Sequence, residues 1–162
     1  MATRALLIPE LDDVLSHGSV EKRADTLRRI TNLFIDGAGH YNEDHVALFD
    51  DVLTRLLVDV ESKALAEVAH RLAAVDNAPP KLIRRLAGDE DIAIAGPVLK
   101  RSPRLAESDL IDIATTMGPD HLLAISGRHQ IGTAVTDILV KRGDRDVVRS
   151  LATNAGATFS EA

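Results

Sequence analysis

The sequence predicts an all-α protein: a bundle-like N-terminal set of longer helices that continues into short α–α repeats stacked as an α-solenoid. Three observations predict it. Nearly every segment carries apolar residues at helical spacing, and no stretch shows the two-residue alternation of a strand. The core must be built from Leu, Ile, Val and Ala, because the 162 residues include three Phe, one Tyr and no Trp. Small aliphatic side chains suit thin layers of closely packed helices. Finally, the second half of the chain can be laid over itself.

Each element follows in order. Residues 9–16 make a short first helix, with Pro9 in its first turn and Gly18 just beyond its end. Ser19 caps a helix reaching about Asp36, with Leu27, Ile30 and Phe34 as its apolar stripe and Gly37 and Gly39 at its end. Asn42 caps the next, where Leu53, Leu56, Leu57 and Val60 recur at i, i+3, i+4, i+7. A further helix carries Leu65, Ala69 and Leu72 and is broken by "DNAPP", residues 76–80, since a residue before proline resists the helical region. That break separates an N-terminal helical segment, 1–78, from helical-hairpin repeats, 79–162, within one continuous domain. A brief helix over 81–87, stopped by Gly88, leads into the repeats.

Three segments share a skeleton: residues 89–114, 119–140 and 144–162. Each opens with an acidic residue at a helix start (Asp91, Asp120, Asp146), where carboxylates favour the positive end of the helix dipole. Each first helix ends at Ser102, Ser126 or Asn154, followed by a break at Pro103, Gly127 or Ala155. A second amphipathic helix follows in two copies, with Leu110, Ile113 and Ala114 in one and Ile131, Val135, Ile138 and Leu139 in the other. Spacing of roughly 24 to 29 residues falls among stacked helical repeats. Pro97 lies where the first of these helices should be continuous, so it either marks a later start or kinks the helix. The third copy is short, which leaves Val147, Val148 and Leu151 without expected cover. It predicts that the chain is a fragment of a longer protein, or that a partner subunit covers this end.

Composition narrows the function. No cysteine is present, which excludes disulfides and thiolate metal sites. No apolar run near the start reaches signal-peptide or membrane-span length, so a cytoplasmic protein without a membrane partner is the expectation. Four aromatic residues cannot supply base-stacking platforms. The net charge of −6 lies wholly in residues 1–78, whereas 79–162 are neutral overall.

Within that neutral half, Lys81, Arg84, Arg85, Lys100, Arg101 and Arg104 form a basic set. Lys81, Arg84 and Arg85 share a helix face, and Lys100 and Arg101 can join them in a ridge if the next helix packs alongside. These six are the candidate partner-binding residues. Pairing with the acidic first half is the simpler account of them, and an anionic partner the sharper one. "HYNEDH", residues 40–45, offers His40 and His45 as weak metal candidates, but their i, i+5 spacing and the missing third ligand argue against a site. Asp12-Asp13 and Asp50-Asp51 point in different directions, and Asp109/Asp112 are explained by a helix first turn. "SGRHQIG", 126–132, follows a helix rather than a strand and fails as a phosphate loop.

The motifs "NAPP", "VLKRSP", "DLIDIA", "VTDILVKRGD" and "NAGA", in this order over about residues 40–162, resemble the bacterial family called domain of unknown function 2336. The pattern D-x-x-V-x-x-x-L-A-x-N, seen from Asp144 to Asn154, is similar to HEAT-like and variant leucine-rich helical repeats. The resemblance implies a longer full-length protein and carries no catalytic residue. The expectation is therefore a non-enzymatic scaffold that needs no cofactor and binds another protein. Binding of nucleic acid or another anion through the basic ridge is the alternative, and homo-oligomers through the exposed C-terminal repeat are a further possibility of the sequence.

Overall fold

The computed structural model describes residues 13, 14 and 18–161. Of the helix expected over 9–16, only Asp13 and Val14 are described, as helical; the rest lies outside the described residues. Nine further α-helices follow: α1 (Val20–Gly37), α2 (Glu43–Leu56), α3 (Ser62–Leu72), α4 (Pro80–Ala87), α5 (Ile92–Arg101), α6 (Glu107–Thr116), α7 (Pro119–Ser126), α8 (Thr133–Arg142) and α9 (Arg145–Ala152). Among the described residues no strand forms; the one β-bridge pairs Ile131 with Ala157 in parallel.

Local chemistry sets the boundaries. Ser19 accepts the Lys22 amide at 3.1 Å and starts α1, which buries Leu27, Thr31 and Phe34. α1 ends where Tyr41 folds back over Gly37, its phenol ring standing where a Cβ at that position would project. Asn42 and His45 cap α2 reciprocally, each side chain bonded to the other's backbone amide. Asp91 caps α5 through the Ala93 amide at 3.0 Å. In the third copy Asp144, not Asp146, is the cap, accepting from the Val147 amide; Asp146 and Asp120 lie in first turns, acting through the dipole alone. Ile131 precedes α8, held by its bridge to Ala157.

Both prolines of the opening copy are placed. α5 begins at Ile92, so Pro97 sits inside it, while Pro103 lies in the turn after it. Pro97 has no amide hydrogen, so the carbonyl of exposed Ala93 loses its intrahelical donor.

The helices pack alternately. α1, α3, α5, α7 and α9 follow one another as neighbours; on the other side α2 packs on α4 and α6 on α8. One hydrophobic cluster runs from Leu27 to Leu151 through both halves of the chain, including Leu53, Leu72, Leu86, Leu99, Ile125 and Leu139. The "DNAPP" turn therefore redirects the chain without dividing its core. Each fully buried Leu or Ile there stabilises by roughly 1.5–3 kcal/mol. Val147 and Leu151 are 0% and 1% exposed, which corrects the expectation that they lack cover: α7 and α8 already cover them. Val148 alone of the three is open, at 44%.

Candidate functional site

A helix of eight to ten residues cannot bond its own terminal carbonyls and amides. In this fold several of them are met by side chains from a neighbouring helix pair. Arg104 donates through Nε to the Ala78 carbonyl at 2.7 Å. Arg128 donates to the carbonyls of Leu99 and Ser102, both at 2.7 Å, at the end of α5. Asn154 does the same for Ser126 and Arg128 at the end of α7, at 2.9 and 2.7 Å. Each of the three reaches back 26 residues to one of its partners. Arg142 links α8 to the carbonyls of Ala114 and Met117 at the end of α6. At the opposite ends, His121 Nε2 donates to the Asp89 carbonyl at 2.7 Å. Asp50 accepts from the Lys81 and Leu82 amides, both at 2.9 Å, and so caps α4 from α2. These bonds also fix direction. The starts of α5 and α7 lie together, and so do the ends of α5, α7 and α9, which makes the three helices parallel.

Arg128 shows what the arrangement costs. Desolvation lowers its pKa, its Nε finds no partner among the described residues, and its charge rests on carbonyl dipoles. An arginine remains protonated under these conditions, so this is a structural cation.

The candidate partner-binding residues separate by role. Arg104 is committed: besides Ala78 it holds both Glu43 carboxylate oxygens, at 3.3 and 3.0 Å. Lys81, Arg84, Arg85, Lys100 and Arg101 are exposed, with Arg85 in a loose 4.0 Å pair with Asp89. α5 does pack along α4, but it returns antiparallel, as the Arg104–Ala78 bond between their outer ends requires. Lys100 and Arg101 thus lie beside the start of α4, while Arg84 and Arg85 sit in its last turn, so Arg84 and Arg85 lie toward the opposite end of the pair from Lys100 and Arg101. His40 and His45 do not converge with other ligands: no group of three or more His, Cys, Asp or Glu fit for a metal occurs among the described residues. His45 Nδ1 is occupied by the Asn42 amide.

What the sequence reading missed is the outer face of α5, α7 and α9. A shallow groove of about 500 Å³ crosses it, lined by Ile92, Lys100, Asp120, Leu123, Ala124, Gly127 and Ser150. Leu123, one of its lining residues, is 41% exposed. The Lys100 stem lies against Gly127, where an added Cβ would stand 3.3 Å from its Cε. The available signal was Leu123 itself, an apolar residue off the buried stripe of Leu122 and Ile125. Among the described residues no helix is long and apolar enough to cross a membrane.

Among the described residues the protein is all-helical, and Asp50, Arg104, His121, Arg128, Arg142 and Asn154 join successive helix pairs. Residues 94–162 match the family described as an uncharacterised protein conserved in bacteria, domain of unknown function 2336. Four of the five resembling motifs lie inside that match, and "NAPP" lies before it. No curated protein and no solved structure matches the chain.

Proposed function

We propose that the chain is a non-enzymatic helical-repeat scaffold of the α-solenoid, HEAT-like kind, working in the cytoplasm, which binds protein through the α5–α7–α9 groove. The observation that carries this reading is that Asp50, His121, Arg104, Arg128, Arg142 and Asn154 are spent on bonds between helix pairs. The surface they leave includes an open strip lined by exposed Leu123. Such a strip suits another macromolecule's side chains.

The test is retention of protein from a native lysate by the immobilised chain. Wild type and an Arg84→Glu/Arg85→Glu control should retain a protein that Leu123→Asp loses. Retention that survives Leu123→Asp but fails in the control, and weakens steeply with salt, would instead favour an anionic partner on α4.

A further inference from the structure

The last two helices repeat the two before them. α6 and α8 have ten residues each, α7 and α9 eight each, and every boundary of the later pair lies 26 residues after its counterpart. Corresponding side chains can therefore be compared one by one. Ile125 and Leu151 are buried alike, as are Leu110 and Thr136. Three positions differ. Ala114, Leu122 and Ser126 are at most 1% exposed. Their counterparts Val140, at 48%, Val148, at 44%, and Ala152 are open. Aligned on its own N-cap, α5 agrees with α7: Ala95 and Leu99, at the positions of Leu122 and Ser126, are fully buried.

What differs is the layer that follows. α8 packs on α6 and α9 on α7, so the earlier pair lies beneath a further one. Hydrogen bonding differs in the same way. Arg142 donates to the Ala114 and Met117 carbonyls, and Asn154 to that of Ser126. The counterpart carbonyls of Val140, Gly143 and Ala152 accept no hydrogen bond among the described residues. A bare carbonyl at a helix end is ordinary. Here three of them flank open valines, at the register where the earlier pair receives donors and apolar cover together. The outer face of α8 and α9 therefore copies, uncovered, an interface that the chain builds one layer earlier.

We propose that this outer face is a second docking surface, separate from the Leu123 groove, which takes a helix pair of a partner protein as the next layer of the stack. Continuity with the interface inside the chain specifies the occupant. It is two short helices with a facing stripe of Leu, Ile, Val or Ala, and an arginine or asparagine placed to reach the three carbonyls. Helices of eight to ten residues are ~12–15 Å long, and two of them set ~9 Å apart cover less than the ~800 Å² per partner of a standard interface. Binding from free solution is accordingly weak, so the test holds the occupant close.

The probe is the helix pair that covers the equivalent face in this chain, residues 132–157, joined to the C-terminus of the full chain by a flexible Gly/Ser linker. Such a tether supplies an effective concentration on the order of millimolar. Circular dichroism should gain the helical signal of about 18 residues, the ten of α8 and the eight of α9. Val148→Asp or Val140→Asp in the host should abolish that gain, with thermal melts of the untethered variants showing that the host still folds. Leu123→Asp should leave the gain in place. Arg142→Ala with Asn154→Ala, made in the added copy alone, should at least halve it. No gain of helix overturns the proposal. So does a gain that survives Val148→Asp and Val140→Asp together, or one lost on Leu123→Asp instead, because the added helices would then fold elsewhere. A dimer of the untethered chain in sedimentation equilibrium that Val148→Asp dissociates also overturns it, by making the occupant a second copy.

Discussion

Asp50 is the clearest case of a residue whose role is set by a distant element. Pro79 and Pro80 open α4 without a side chain able to cap it, so Lys81 and Leu82 would leave their amides unbonded. Asp50, 3% exposed on α2, meets both. Asp50→Ala should cost about 2 kcal/mol in urea denaturation, with Asp50→Asn losing less because one acceptor oxygen survives. Thr136 is the reverse case: its hydroxyl is fully buried with no partner among the described residues. Thr136→Val keeps the shape and removes the desolvated oxygen, so it should raise stability by roughly 1 kcal/mol in the same assay. A loss of stability there would mean that the hydroxyl is bonded after all. Sequence could not tell these residues apart from their neighbours. Asp50 looks like half of an Asp-Asp pair and Thr136 like any polar helix residue, because both roles depend on atoms supplied by other helices.

At the scale of elements, short helices hold together through their ends. Arg128→Ala would strip the Leu99 and Ser102 carbonyls of their donor and open a gap between α5 and α7. A loss of about 2–3 kcal/mol is expected, against well under 1 kcal/mol for its exposed neighbour His129→Ala. Comparable melts for the two would remove the cross-pair bonds from the account. α1 and α3 are joined differently, by an exposed ion pair at 2.7 Å between Arg28 and Glu67. Its hydrogen bond, then its charge, holds Glu67 below the usual carboxylate pKa. A carboxylate depressed in the folded state stabilises above its unfolded pKa and loses that contribution as pH falls through the folded one. The stability difference between wild type and Glu67→Gln should therefore be small at neutral pH and vanish below the carboxylate range.

The order of these elements was legible. Ser19, Asn42, Asp91 and Gly88 mark boundaries within a residue or so of those observed, since caps act locally, whereas α3 ends at Leu72, before "DNAPP", and α2 ends at Leu56, short of Val60. Asp146 does lie in the first turn of α9, but the cap is Asp144, an equally good candidate on paper. Only the backbone decides which carboxylate reaches the Val147 amide.

For the whole molecule, the all-helical fold was legible from the helical spacing of its apolar residues, whereas the groove was not. A repeat shows which residues face inward, since these recur. It does not show which outward residues meet those of the neighbouring copy, because that depends on helix direction and on the space left at Gly127. The basic set was the most visible surface feature of the sequence, yet the structure ties up Arg104 and places Arg84 and Arg85 apart from Lys100 and Arg101 along the antiparallel α4–α5 pair. The claim that protein is bound at Leu123 can be tested on its own, because the chain has no cysteine to compete. A single cysteine placed at Leu123, coupled to a photo-crosslinker and activated in a native lysate, should yield a discrete protein adduct. An adduct of twice the 17.4 kDa chain mass would identify a second copy. The same crosslinker at Arg84 should give none. Adducts at Arg84 and none at Leu123 would contradict the account.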